Sequence, residues 1–286
     1  MTLTPFDLVK NSSELSSPPE ILVKINEVLG NPESSFEEIG QIIQADTSLS
    51  AQLMKIVNSS LFNFPSPIDT ISHAVSIIGL QPLKDLALST CILTSFSGNS
   101  KDQADDMRSF WSHSLGCAIA ARVIAIHCRE SNPERFYLAG ILHDIGRLIL
   151  LTNYPKLAEK VMAHYEKSGK PLTEAEQDVL GFTHSDLGTA LVELWNLPPF
   201  LKEAIESHHA YGEKQDTPPS LECAVLNLAD MFAKAMELGS SGDPYVPPLN
   251  PRNWEVIGIS TALLPLIWEQ VELQYADSKN FILSNC

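Results

Sequence analysis

No two cysteines in this chain stand at C-x-x-C spacing, and the five present (Cys91, Cys117, Cys128, Cys223 and Cys286) are odd in number and scattered. Neither a thiolate metal site nor a disulfide framework is indicated, which leaves reduced packing residues. Basic charge is scarce as well: 19 Lys and Arg stand against 35 Asp and Glu, a net charge of −16. Such a surface repels nucleic-acid backbones and anionic membranes at long range, so no extended nucleic-acid partner is expected. Apolar runs fall short of the ~20 residues that span a bilayer. Residues 1–13 hold no apolar core of signal-peptide length. A cytoplasmic protein without a membrane segment is expected. Alternating strand patterns are missing, and nothing repeats at a fixed period.

Apolar residues at helical spacing are what the chain does have. Residues 1–17 are a polar lead-in, and Ser16-Ser17-Pro18-Pro19 reads as a helix start followed by Ile21, Ile25, Val28 and Leu29. Gly30-Asn31-Pro32 stops that helix. Stripes then recur from Phe36, from Ser48, over 68–78 and over 82–96. The small, polar and acidic stretch Ser97 to Asp106 reads as a junction. Longer helices follow over 110–127, 133–151, 155–168, 173–180, 183–195, 199–209 and 221–238. A Pro-rich linker, 239–251, leads to a closing helix near Trp254 with a break expected at Pro265. All of this predicts an all-α protein.

One of these helices contains residues that folding alone would not ask for. His143 and Asp144 sit side by side in a run, Phe136 to Leu151, that is apolar almost all round and reads as one buried helix. A buried imidazole beside a buried carboxylate needs compensation by a hydrogen bond or an ion. Four more of the eight histidines join them. His113 shares a face with Cys117, Ala120 and Ile124; His184 follows a Thr183 cap with Asp186 three residues on; His208 and His209 end the stripe Leu201, Ala204, Ile205. Asp230 belongs to a polar stripe with Asn227, Lys234 and Glu237, which fits solvent exposure at least as well as burial. Imidazole and carboxylate donors without thiolates suit iron, manganese or zinc, with cobalt, nickel or magnesium also compatible. So many donors exceed the needs of one four-coordinate ion and suit two ions bridged by Asp144. Arg147, Lys156, Lys160, Lys167 and Lys170 follow; they are either a basic lip for a phosphate-bearing ligand or, as charge alone favours, a solvated helix face.

The order His113, His143-Asp144, His184, His208-His209, Asp230 resembles the metal-site signature of the HD superfamily of phosphohydrolases, and the extra histidines resemble its dinuclear HD-GYP members. The whole chain, over roughly Ser16 to Leu273, is similar to HDOD proteins through Ile43-Gln-Ala-Asp-Thr-Ser-Leu49, Lys55-Ile-Val-Asn-Ser-Ser60 and Thr70-Ile-Ser-His-Ala-Val-Ser-Ile-Ile-Gly79. This resemblance implies two helical lobes: residues 1–105, and an HD-like metal-binding domain over 106–240, followed by a linker and closing helix over 241–286. It further implies His113, His143, Asp144 and Asp230 around one divalent ion, and His184, His208, His209 and the bridging Asp144 around a second. Asp144 and Arg147 would carry the chemistry, Arg147 gripping phosphate in bidentate fashion. Departures are Arg147 where HD-GYP enzymes have lysine, Ala210–Pro218 where they have a Gly-Tyr-Pro loop, and Ser109 where trinuclear members place an acid. Two functions follow from the resemblance: a phosphohydrolase acting on a small phosphate ester, and a non-catalytic signalling module that binds a protein partner.

Overall fold

The computed structural model describes residues 4–12, 15–30, 36–96, 104–209, 218–240 and 242–282. Every regular element among them is helical. The N-terminal part comprises α1 (Pro5–Asn11), α2 (Glu20–Gly30), α3 (Phe36–Ala45), α4 (Thr47–Val57), α5 (Ile71–Ile78) and α6 (Leu80–Phe96). Then come α7 (Ala104–His127), α8 (Glu134–Leu142), α9 (Ile145–Asn153), α10 (Pro155–Ser168), α11 (Leu172–Leu180), α12 (His184–Leu194), α13 (Pro199–Ser207) and α14 (Leu221–Ala235). A closing pair, α15 (Pro251–Ile257) and α16 (Leu264–Ile282), ends the chain. Caps set many of these boundaries: Asp46, Thr70, Thr183 and Ser220 each accept a backbone N–H of the first turn they precede.

Helix α7 is the axis of the bundle. It is apolar around most of its circumference, with Trp111, Leu115, Cys117, Ala118, Ala121 and Ile124 buried, and α8, α14 and α16 pack around it. By length and composition residues 106–127 could cross a bilayer, contrary to the expectation that every apolar run is too short, but most of that span lies inside the protein. Such all-round apolarity marks a helix buried by its neighbours. The N-terminal helices lie against this bundle through α6 on α8 and α4 on α16. A buried Arg122 ties the two parts together, donating to the Leu61 carbonyl at 2.7 Å and pairing with Glu134 at 3.1 Å.

Four details differ from the sequence reading. The lead-in contains α1, whose Leu8 and Val9 are buried against α12; Tyr154 Oη donates to the Leu8 carbonyl at 2.6 Å and Trp195 Nε1 to that of Leu15 at 2.9 Å. Seven residues are too few to display a period. The run around His143 is two helices, because Asp144 turns the backbone to φ −100°, ψ 15°. The closing helix breaks at Gly258, left-handed at φ 67°, and Pro265 sits in the first turn of α16, where proline is tolerated. Finally, the expected junction falls over 97–103 outside the described residues, as do residues 210–217 of the loop after His209, while 104–106 already belong to α7.

Candidate metal centre

Two glycines bring the centre together. A Cβ on Gly140 would lie 2.4 Å from Ala118 Cα, so only glycine lets α8 approach α7 closely enough to set His143 beside His113. A Cβ on Gly146 would lie 1.9 Å from the His184 carbonyl oxygen, so only glycine lets the start of α9 meet the start of α12. The break between α8 and α9 then aims Asp144 into the gap. Its carboxylate makes no capping bond to its own helix.

That carboxylate divides the histidines into two sets. Asp144 Oδ1 lies 3.2 Å from His184 Nε2 and 3.3 Å from His208 Nε2, while Oδ2 lies 3.3 Å from His143 Nε2 and 3.9 Å from His113 Nε2. His209 Nε2 joins the first set, 2.8 Å from His184 Nε2. Asp144, His184, His208 and His209 thus form one group compact enough to hold an ion, and His113, His143 and Asp144 a second. Asp230 stands beside the second, with Oδ1 3.1 Å from His113 Nε2 and 3.9 Å from His143 Nε2. It is wholly buried, so solvent exposure is overturned at Asp230, while Glu237 at the end of the stripe is exposed. Asn227 and Lys234 turn inward with it, Asn227 donating to the His208 carbonyl at 2.9 Å and Lys234 Nζ pairing with Asp230 Oδ2 at 2.9 Å. His209 is partly exposed and marks the solvent side of the cluster.

The ring nitrogens facing away are fixed, and this decides what the others can do. His143 Nδ1 donates to the Gly140 carbonyl at 2.8 Å and His208 Nδ1 to the Ile205 carbonyl at 2.6 Å. A carbonyl only accepts, so Nδ1 holds a proton, and the Nε2 facing Asp144 carries either a second proton or, in the neutral ring, a lone pair. Lone pair against carboxylate is repulsive unless a proton or a metal ion lies between. Buried His143 Nε2 and His113 Nε2 come near carboxylate oxygens yet align with none as a hydrogen bond. Donors that converge on a common point without bonding one another fit a cation.

Titration follows the same logic. Burial disfavours ionisation of Asp144, but the His143 charge and the His184 and His208 imidazoles at 3.2 and 3.3 Å outweigh it and hold the carboxyl well below its ordinary range. Burial likewise opposes protonation of His143, which Asp144 nevertheless raises well above 6.5. Burial and the charges of His208 and His184 push His209 well below 6.5, leaving a neutral donor. Binding of an ion would release protons from such a cluster.

Two participants escaped the sequence reading. Glu176 on α11 is fully buried and accepts both the His184 backbone N–H at 2.9 Å and His184 Nδ1 at 2.6 Å. Lys234 is the second; its place one turn after Asp230 was the available signal. Arg147 is buried too. Its Nη1 lies 3.4 Å from Glu176 Oε1 and its Nη2 3.6 Å from Met162 Sδ, on the far side of His184 from Asp144. The lysines after it, Lys156, Lys160, Lys167 and Lys170, are exposed, and Lys170 pairs with Asp178 at 2.6 Å, so they form a solvated face apart from Arg147. The three remaining histidines stay outside the cluster: His73 is exposed, His127 meets Gln270 at 3.0 Å, and His164 meets Asp178 at 3.2 Å.

Residues 15–211 match the HDOD domain. The chain belongs to the HDOD family. It is similar to an HDOD domain protein of unknown function from Geobacter sulfurreducens, with a TM-score of 0.70 at 26% identity over 89% of this chain and 91% of that one. A candidate phosphohydrolase from Shewanella amazonensis SB2B shares the fold, with a TM-score of 0.73 at 21% identity over 97% of both chains. An uncharacterized protein of Treponema pallidum (strain Nichols) is 27% identical over 196 residues, which are 67% of this chain and 37% of that longer one. The HDOD chain therefore spans little more than a third of that curated relative.

Proposed function

We propose that this HDOD chain keeps a working two-metal phosphohydrolase centre within a bacterial signalling protein, and that its substrate is a phosphomonoester or a linear nucleotide. The observation that supports this most is the division of Asp144, one oxygen toward His184 and His208 and the other toward His143 and His113. Iron, manganese or zinc suit the donors best, with magnesium, nickel or cobalt compatible. Two such ions in these pockets supply a nucleophile at neutral pH and neutralise charge on a phosphoryl group.

The protein's own residues do the positioning. Asp144 spaces the pockets, and His143, His184 and His208 turn their Nε2 atoms toward it because their Nδ1 atoms are engaged. Substrate would approach past His209, the partly exposed member. Arg147 holds Glu176 and is too buried to grip a phosphate without rearrangement, so we assign it a positioning role in place of the phosphate clamp expected from its place after the His-Asp pair. Cyclic dinucleotides are disfavoured because the loop after His209 lacks Gly-Tyr-Pro.

A second function, a non-catalytic output module that binds a signalling partner, draws support from the burial of His113, His143, Asp144, His184, His208 and Asp230. Turnover separates the two. Metal-loaded wild type and Asp144→Ala would be assayed on an aryl phosphate, a set of linear nucleotides and cyclic dinucleotides. Manganese- or iron-dependent hydrolysis of the first two, lost in Asp144→Ala, is expected. Rapid cyclic-dinucleotide turnover would overturn the substrate class, and no turnover by fully metallated protein would decide for the module.

A further inference from the structure

We propose that the two pockets sharing Asp144 load in order: the His184, His208 and His209 pocket binds its ion first, and the His113, His143 and Asp230 pocket fills only at much higher metal concentration, because Glu176 prepares one and Lys234 obstructs the other. This rests on the metal centre proposed above and concerns how this particular chain tunes it.

In the first pocket both outward nitrogens have strong acceptors. Glu176 takes His184 Nδ1–H at 2.6 Å and fixes the same residue's backbone at 2.9 Å, so ring and main chain move as one. A carboxylate on the far nitrogen makes the near one a better donor and holds its direction. Arg147 pairs with Glu176 at 3.4 Å and keeps that buried charge compensated. Ile205 holds His208 in the same way. Two of the three imidazoles, His184 and His208, are therefore set beside Asp144 Oδ1 before any ion arrives.

The second pocket is less prepared and carries an opposing charge. His113 Nδ1 is buried without a hydrogen-bond partner, so nothing selects the tautomer that would present Nε2 as a lone pair. Asp230 Oδ2 accepts from Lys234 Nζ at 2.9 Å, with only 5% of the lysine side chain exposed. An ammonium there neutralises the one carboxylate this pocket does not share. It also repels an incoming divalent ion across a single carboxylate, where little water screens it. Once the first ion is bound, Asp144 has been polarised toward it, which weakens the second site further.

Manganese(II) added to the chelator-treated full chain tests this, with calorimetry reporting affinity and electron paramagnetic resonance reporting whether ions are paired. Two steps are expected, the first at least about tenfold tighter, with isolated manganese at one equivalent and a coupled pair only in excess. Lys234→Gln should tighten the second step by roughly tenfold or more and leave the first in place. Glu176→Gln should weaken the first step by about 10–100-fold. Should the stranded Arg147 prevent folding of that variant, the double change Glu176→Gln, Arg147→Met removes both charges and carries the same expectation. Circular dichroism of each metal-free variant separates a tuning effect from lost structure. Two steps of equal affinity in the wild type, or a second step unmoved by Lys234→Gln, overturns the order of loading while leaving the phosphohydrolase reading intact. Failure to bind manganese at all overturns both.

Discussion

Gly146→Ala puts one methyl group where it interrogates both the packing and the centre. The new Cβ would lie 1.9 Å from the His184 carbonyl oxygen and 2.8 Å from the Gly188 backbone nitrogen. Both obstacles are main chain, so no side chain can swing aside. Non-bonded atoms need roughly 3.3 Å or more, and α9 and α12 would have to part by more than about 1 Å. Overpacking of this kind costs about 1–3 kcal/mol, and a backbone-to-backbone collision belongs at the upper end. In a domain of this size that corresponds to a fall in Tm of roughly 6–12 °C. The same two helices carry Asp144 and His184, whose Oδ1 and Nε2 lie 3.2 Å apart. Metal sites tolerate about 0.2 Å of error in ligand distance, so metal content should fall with stability. Thermal melts and elemental analysis of Gly146→Ala measure both. Gly40 supplies the control: it lies within α3, and a Cβ there meets nothing within 4 Å. Gly40→Ala should therefore gain up to about 1 kcal/mol from reduced backbone entropy in the unfolded chain. If Gly146→Ala melts at or above wild type with full metal content, the close crossing of α9 and α12 does not govern the site.

Two further perturbations probe the join between the N-terminal helices and the bundle. Arg122→Ala would leave Glu134 buried without its cation and remove the bond to the Leu61 carbonyl, at a cost of about 3–5 kcal/mol; urea unfolding should show it, with partial recovery in Arg122→Ala, Glu134→Gln, and a loss under 1 kcal/mol would contradict the burial argument. Asp85 is fully buried, and desolvation, partly offset by hydrogen bonds from Asn132 and Gln81, raises its carboxyl from 3.8 to about 6. A raised folded-state value means that its stability contribution is complete below pH 3.8 and lost as pH rises through about 6, a cost on the order of 3 kcal/mol at pH 8. Asp85→Asn should therefore exceed wild type in stability at pH 8 and converge with it near pH 4, and a gap that is the same at both values would refute the assignment.

Helical stripes were legible because each helix buries one apolar face, and periodicity reports such faces. The same signal located His113, His184 and His208, each of which interrupts an apolar stripe with a group that has no reason to be there unless something polar awaits it. It failed for Asp230. A polar stripe facing a buried cluster has the same spacing as one facing water, and only the packing of α14 against α7 shows that Asn227, Asp230 and Lys234 point inward. Glu176 was invisible for a related reason: its partners, His184 and Arg147, lie on two other helices, and no spacing within α11 connects them. The break at His143-Asp144 carried no glycine or proline at the turn itself, so a continuous apolar run concealed two helices.

Gly140 and Gly146 set the spacing of the cluster. Read as helix residues, each is a weakness of up to about 1 kcal/mol relative to alanine. In the folded chain they sit either side of the His143-Asp144 break, and each faces the backbone of a helix that supplies another donor, α7 with His113 and α12 with His184. A side chain at either position would open one half of the cluster and leave the other in place. The spacing of a glycine three residues before His143 and another two after Asp144 is thus a statement about two helix crossings, and through them about how far apart the two sets of histidines stand on the one carboxylate they share.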